Sequence, residues 1–184
     1  MSYQATHDPL TGLVNRREFE RRLDEAMDSA HAEEAVHMLF YMDLDRFKAV
    51  NDRFGHQAGD KVLIEITKVI RSMVRVTDLV GRWGGEEFLI ILPETDMDGG
   101  FSLAEKVRTR LESAYLGKIG HRTASFGVTA YKDGDGIEAI IARADAGLYA
   151  AKRGGRNRVE KVAVVAEAAS GLSDSAESAP GSLR

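Results

Sequence analysis

Two adjacent carboxylates, Glu86 and Glu87, follow directly on Gly84-Gly85, between two runs of strand character at 79–82 and 88–92. A Gly-Gly pair admits positive φ, which a tight two-residue hairpin turn requires. The stretch Arg82-Trp83-Gly84-Gly85-Glu86-Glu87-Phe88 therefore reads as a hairpin with acids leaving its turn. Neighbouring side chains of a strand point to opposite faces, so only one of the two acids need face the core. Acids beside a bare backbone turn cost stability, which points to a site for metal or phosphate. A third acid, Asp43, ends an apolar run over 35–42 that suits a buried strand, and such a strand holds a ligand rigidly. Lys152 and Arg156 flank a Gly154-Gly155 turn at a helix end. Cations there complement the helix dipole, and a basic glycine turn is equally suited to grip a polyphosphate. If the two strands are neighbours, the acids converge into a hard-oxygen site for Mg²⁺, which takes one or two carboxylates plus substrate phosphates. Two-metal phosphoryl chemistry uses such a site.

The elements that must position these groups follow from periodicity. Asn15 and Glu18 form a capping-box pattern at the head of a helix whose apolar positions are Phe19, Leu23, Ala26, Met27 and Ala30. Asp45 reads as the N-cap of a short helix over 46–51. The segment 54–60, with His56 and Asp60, reads as a glycine-punctuated loop opening an amphipathic helix with Val62, Leu63, Ile66, Val69, Ile70 and Met73 on one face. A connector over 75–78 leads to the hairpin. A helix over 97–115, a strand over 123–131 and a last helix with Ile137, Ile140, Ile141, Ala144 and Leu148 inward complete the pattern. This order predicts an α+β fold, a mainly antiparallel sheet with helices packed on it.

The chain has 184 residues, with 43% hydrophobic and 29% charged, ordinary values for a globular domain. The expected organisation is a linker over 1–7, one domain over 8–161 and a disordered Ala/Ser/Glu/Gly tail over 162–184. A net charge of −4 argues against a bulk nucleic-acid binder. The absence of Cys removes disulfides, thiolate metal sites and Cys nucleophiles. No apolar run approaches the roughly 20 residues that span a bilayer. No phosphate-loop pattern of the Walker type and no dinucleotide-binding glycine fingerprint is present.

Five motifs in order carry a resemblance. They are Asp8-Pro9-Leu10-Thr11-Gly12-Leu13 with Asn15-Arg16; the run 43–52 from Asp43-Leu44-Asp45; Phe54-Gly55-His56-Gln57-Ala58-Gly59-Asp60; Arg82 to Phe88; and Ala144-Asp145 through Leu148-Tyr149, Ala151-Lys152 and Gly155-Arg156-Asn157. Over residues 6–161 the chain resembles the GGDEF family of diguanylate cyclases. The resemblance implies a palm-like fold related to nucleotidyl cyclases, and condensation of two GTP into cyclic di-GMP and two pyrophosphates. By match of position, Asp43, the Leu44 carbonyl and Glu86 would hold Mg²⁺ or Mn²⁺. Glu86 would accept the 3′-hydroxyl proton, and Glu87 would support a second metal. Asn51 and Asp60 would read the guanine edge, with His56 at a further substrate contact. The amides around Phe47-Lys48, with Lys152 and Arg156, would hold the β- and γ-phosphates, and Gly84 and Gly85 would let GTP lie against bare backbone.

The family's mechanism implies a facing homodimer in which each 3′-hydroxyl attacks the GTP held by the other copy. Arg75-x-x-Asp78 matches the family's inhibitory product site, with Arg108 as a further candidate. The expected partners are GTP, cyclic di-GMP, a second copy and an N-terminal sensor in a longer parent protein, and the expected compartment is the cytoplasm. The chain departs from the family pattern in Gly-Gly-Glu-Glu-Phe for Gly-Gly-Asp-Glu-Phe, in Trp83 for a more frequent Tyr and in Arg46 for a frequent aromatic. None of these removes a catalytic group, and Asp60 favours GTP over a mixed-nucleotide product. Two other readings are a receptor that binds GTP or cyclic di-GMP without turnover and a structural dimerisation module. The three acids count against the first, and the nucleotide motifs against the second.

Overall fold

The computed structural model describes residues 2–164. Its elements are α1 (Tyr3–Thr6), α2 (Arg16–Glu33), β1 (Met38–Leu44), α3 (Phe47–Phe54), α4 (His56–Met73), β2 (Leu79–Arg82), β3 (Glu87–Leu92), α5 (Met97–Ser113), a 3₁₀ turn (Gly117–Ile119), β4 (Ala124–Ala130), α6 (Ile137–Arg153) and β5 (Val159–Val162). The strands form one sheet in the order β2-β3-β1-β4-β5. Every pairing is antiparallel except β4 with β5. This is the α+β, mainly antiparallel arrangement expected.

Every residue of β1 is buried, because helices cover both sheet faces. Strand alternation divides the core in two. Met38, Phe40, Met42 and Leu44 face one way, with Phe88, Ile90 and Leu92 of β3 beside them, and pack against α3, α4 and α5. Leu39 and Tyr41, with Leu89 and Ile91, face the other way and meet Phe19, Leu23 and Met27 of α2 and Ile140, Ala144 and Leu148 of α6. Asp43 belongs to this second face by the same alternation. Among the described residues, no helix is long and apolar enough to cross a membrane.

Several expectations need correction. The segment 54–60 is not a loop: only Gly55, at φ 88°, separates α3 from α4, so His56 and Asp60 ride on the first turns of α4. Asp45 does not cap α3. Arg46 occupies that position at φ 57°, and Asp45 is buried. Asn15 does cap α2, accepting from the Glu18 N–H at 3.0 Å. The box is not reciprocal, because Glu18 binds Arg21 and Arg22 while the Asn15 N–H is taken by the Thr6 carbonyl. Residues 1–7 are more than a linker, since α1 lies there and His7 bridges Val14. Strand β5 was not anticipated. Its sequence, Val-Glu-Lys-Val, is short and half charged, and it takes residue 162 from the expected tail. The tail from residue 165 lies outside the described residues.

Helix α6 lies against β4 with almost no clearance. A Cβ on Gly127 would stand 2.0 Å from the Ala144 carbonyl oxygen and 2.3 Å from the Leu148 nitrogen, both backbone atoms that cannot swing aside. Gly147 meets it from the helix side, where a Cβ would fall 2.9 Å from the Gly127 Cα. Gly127→Ala should therefore push α6 off the sheet and cost at least about 1–3 kcal/mol of stability. Urea unfolding of the variant beside the parent domain reads this directly, and an unchanged midpoint would contradict the packing.

Candidate active site

Asp43 sits next to last in β1, with Glu87 of β3 and Ser125 of β4 as its cross-strand partners. It is only 6% exposed. Lys152, in the last turn of α6, reaches it with Nζ 2.8 Å from Oδ2. Burial pushes the Asp43 carboxyl above its ordinary value, and Lys152 works against that rise. The Leu44 N–H donates to the Glu86 carbonyl at 3.2 Å, so the strand end and the acid-bearing turn are joined through the backbone. Burial also raises the Glu86 carboxyl, and the negative charge of Asp43 adds to it. Glu87 accepts a hydrogen bond from the buried Tyr41 hydroxyl. That phenol is held well above its usual range by burial first and by Glu87 second. The three acids thus converge, but not equivalently: among the described residues Asp43 is paired with a cation, Glu87 with a phenol, and Glu86 with neither.

The hairpin is wider than the expected two-residue turn. Residues 83–86 lie between the strands, and the Trp83 and Gly84 N–H groups both donate to the Glu87 carbonyl. Neither Gly84 nor Gly85 has positive φ, so the turn conformation does not demand them. A Cβ on Gly85 would meet nothing within 4 Å, and one on Gly84 would meet only the Glu87 side chain, 3.2 Å away. What these glycines preserve is bare backbone and open space.

Sequence reasoning missed what seats the hairpin. Arg82 donates from Nη1 to both Asp8 carboxylate oxygens, at 3.1 and 3.2 Å, and from Nη2 to the Gly85 carbonyl at 2.9 Å. Burial opposes ionisation of Asp8, yet bonds from Thr11 and the Arg82 guanidinium hold its carboxyl below the ordinary range. Trp83 packs edge-on to Phe19, under the Arg16 guanidinium. Asp8 and Arg82 each stood inside a recognised motif, but nothing in one sequence pairs two residues so far apart.

The remaining candidates ring this cluster. Helix α3 has no side-chain cap, so the first-turn amides at Phe47 and Lys48 are open to an anion. Phe47 is buried and Lys48 exposed. Among the described residues no acid pairs with Arg156, which takes φ 66° in the turn after α6. Asn51 is half-buried with its Oδ1 unpartnered, beside Gly59, where a Cβ would stand 1.9 Å from that oxygen. Asp60 and His56 are exposed nearby on α4. Arg75 and Asp78 do come together: the Arg75 N–H and Nη2 bind the two Asp78 oxygens at 2.7 and 3.0 Å. Arg75 also donates to the Pro93 carbonyl and Thr95, beside a groove of about 740 Å³ lined by both residues of the pair. Arg108 does not join them within the chain. It is held by Glu105, Glu112 and Asn157.

Among the described residues no three carboxylates or imidazoles form a ready-made metal cage. Two buried-edge acids beside a backbone carbonyl do fit a hard divalent ion that takes most of its remaining ligands from phosphate and water.

Comparison with known proteins bears on the family and the fold. The family model described as diguanylate cyclase, GGDEF domain, matches residues 5–158. The chain is 41% identical over 160 residues to the diguanylate cyclase DgcP of Pseudomonas aeruginosa, covering 85% of the chain and 24% of that protein. It is 39% identical over 159 residues to DgcM of Escherichia coli, covering 86% of the chain and 39% of that protein. The chain thus spans well under half the length of these curated relatives. The GGDEF domain of DgcB from Caulobacter crescentus, solved in complex with c-di-GMP, superposes with a TM-score of 0.85 at 36% identity, covering 88% of this chain and 96% of that one. The active GGEEF domain of a diguanylate cyclase from Vibrio cholerae superposes at 0.78 and 36% identity, covering 82% and 97%.

The raised Glu86 carboxyl has a consequence for stability. An acid whose folded pKa is raised loses its proton first in the unfolded chain, so stability falls as pH rises from the ordinary value near 4.5 through the folded one. Glu86→Gln removes that penalty. In metal-free buffer it should stabilise the domain at pH 7 by less than about 1 kcal/mol, since solvent screens a part-buried group. The gain should fade as pH falls through the folded pKa and be gone below the unfolded one. Thermal melts of both proteins from pH 4 to 8 test it, and a variant less stable at pH 7 would contradict it.

Proposed function

The chain belongs to the diguanylate cyclase GGDEF-domain family, and from that premise we propose that this domain condenses two GTP molecules into cyclic di-GMP and two pyrophosphates. The observation that carries the reading is the convergence of Asp43, Glu86 and Lys152 at one end of β1, beside the uncapped start of α3.

Members of this family depend on a metal ion. Here Asp43, the Leu44 carbonyl and Glu86 would hold Mg²⁺ or Mn²⁺, which when bound supplies charge neutralisation to the phosphates. The residues of the chain do the rest. The amides of Phe47 and Lys48, with Lys152 and Arg156, grip the β- and γ-phosphates. The Asn51 carboxamide and the Asp60 carboxylate meet the guanine edge, and the unpartnered Oδ1 of Asn51 is an acceptor waiting for a donor such as the 2-amino group. His56 stands beside that edge. Gly84 and Gly85 let the nucleotide lie on bare backbone, where no Cβ would obstruct it. Glu86, raised above an ordinary carboxylate, is the better placed of the two acids to take the 3′-hydroxyl proton. Glu87 is occupied by Tyr41 and acts as its helper.

One domain holds one GTP, so the attacking oxygen must come from a second copy. The 3′-oxygen forms a bond to the other nucleotide's α-phosphorus, pyrophosphate leaves with the broken bond's electrons, and the exchange occurs twice. Two copies face each other for this, and a sensor in the longer protein sets how often they meet. The paired Arg75 and Asp78 offer a guanidinium and a carboxylate for phosphate and guanine of the product, as a brake on turnover. Arg108 would contribute only after leaving its own acids.

Purified protein with GTP and Mg²⁺ should yield cyclic di-GMP, and specific activity should rise with protein concentration until the dimer saturates. Glu86→Ala should lower turnover by at least about 100-fold while GTP remains bound. GTP binding without product at any protein concentration would sink the proposal in favour of a receptor. In the same assay Arg75→Ala should keep the initial rate and lengthen the linear phase. Identical progress curves would remove the inhibitory role.

A further inference from the structure

Asp45 is the one buried acid at the site with no part in the chemistry above. It is 6% exposed, and no Lys, Arg or His pairs with it among the described residues. Its charge is met instead by three donors. The Ser125 hydroxyl binds Oδ1 at 2.6 Å. The Thr123 hydroxyl and the Asn157 backbone N–H bind Oδ2, at 2.7 and 2.9 Å. Its own N–H donates to the Thr123 carbonyl at 2.9 Å. A lone buried carboxylate is a costly way to fill space. What it supplies is several short, directional, charge-assisted bonds from a single point.

The bond from the Asn157 N–H joins two turns held in unfavourable conformations, while those from Thr123 and Ser125 anchor the carboxylate to β4 and the residue before it. Among the described residues five other than glycine have positive φ, and three of them lie in these two turns: Arg46 at 57°, next to Asp45 in sequence, and Arg156 at 66° and Asn157 at 44°. Left-handed backbone persists at such residues only where surrounding bonds over-determine it. Asn157 is fixed from both sides, since its Oδ1 also accepts from Arg108 Nη1 at 3.0 Å. The two turns are also the two that grip phosphate. One presents the Phe47 and Lys48 amides immediately after Asp45, and the other carries Arg156 beside Asn157.

We propose that Asp45 is a positioning residue for the triphosphate, a buried clasp that sets the α3 amides and Arg156 at a fixed separation. The proposal rests on the nucleotide-binding reading above and adds a specific division of labour. Asp45 governs recognition of the β- and γ-phosphates and leaves recognition of guanine, by Asn51 and Asp60 farther along α3 and α4, untouched.

The test compares two probes in Mg²⁺, 3′-deoxy-GTP, which cannot attack, and GMP, which lacks the outer phosphates. In the parent domain 3′-deoxy-GTP should bind more tightly than GMP. Asp45→Asn keeps the shape but leaves the Asn157 N–H or a hydroxyl without its charged acceptor. It should weaken 3′-deoxy-GTP by about tenfold or more and GMP by less than about twofold. Thr123→Val, a milder change that removes one bond, should show the same selectivity at about threefold, and decides the matter if Asp45→Asn does not fold. Equal losses for both probes would mean that Asp45 merely stabilises the fold. No loss for either would mean that the turns do not depend on it. Both results overturn the proposal while leaving the cyclase reading intact. Parent protein that binds 3′-deoxy-GTP no better than GMP would overturn both together.

Discussion

An ionised carboxylate at the end of a fully buried strand is tolerable only with a partner, and for Asp43 that partner is Lys152. Breaking a fully buried pair costs about 3–5 kcal/mol; this one costs less, because Lys152 keeps 37% of its side chain exposed. Much of the architecture serves that contact. Lys152 reaches β1 because α6 lies against the sheet at the Gly127–Gly147 crossing, where neither backbone leaves room for a Cβ. In the reaction proposed above, the same exposure would let the ammonium turn from Asp43 to an incoming phosphate. A metal ion held at Asp43 would then replace the charge that the lysine withdraws.

The central strand divides its two acids by the alternation of its side chains. Asp43 and Asp45 share a parity, yet the strand ends at Leu44 and the chain turns between them. Asp43 remains near the end of the central strand, beside the acids of the hairpin. Asp45 turns toward β4 and the segment after α6, and is satisfied entirely by hydroxyls and an amide. The two carboxylates are thus two residues apart in sequence and distinguished by their donors: a part-exposed ammonium for Asp43, hydroxyls and a backbone amide for Asp45.

The pattern of apolar residues made the layers legible, because α2, α4, α5 and α6 bury one stripe each and β1 and β3 are continuous apolar runs. It also placed Asp43 at a strand end and the two glutamates on a hairpin. Failures came where a local signal had a tertiary competitor. Asp45 has the composition of an N-cap and is instead drawn inward by Thr123 and Ser125, residues nearly half the chain away. Gly55 alone suffices to break α3 from α4, so the polar residues after it continue a helix where composition suggested a loop. Gly84-Gly85 satisfied a turn rule that the backbone does not use, since residues 83–86 form a wider connection closed on the Glu87 carbonyl. Strand β5 is too short and too charged to declare itself. It exists because β4 leaves an edge open for parallel pairing.

The seat of the hairpin shows why the N-terminal segment is more than a lead-in. Asp8 is held by Thr11 and holds Arg82, and Arg82 holds the Gly85 carbonyl. The Arg82 N–H donates to the Val14 carbonyl, which adds a backbone tie between the same two segments. The turn over 8–14 and the glycine pair are therefore linked through one side chain and one backbone bond. Glu86 is the next residue after Gly85, and its carbonyl is bonded to Leu44. Glu86 is thereby tied both to the central strand and, through Gly85 and Arg82, to the start of the domain.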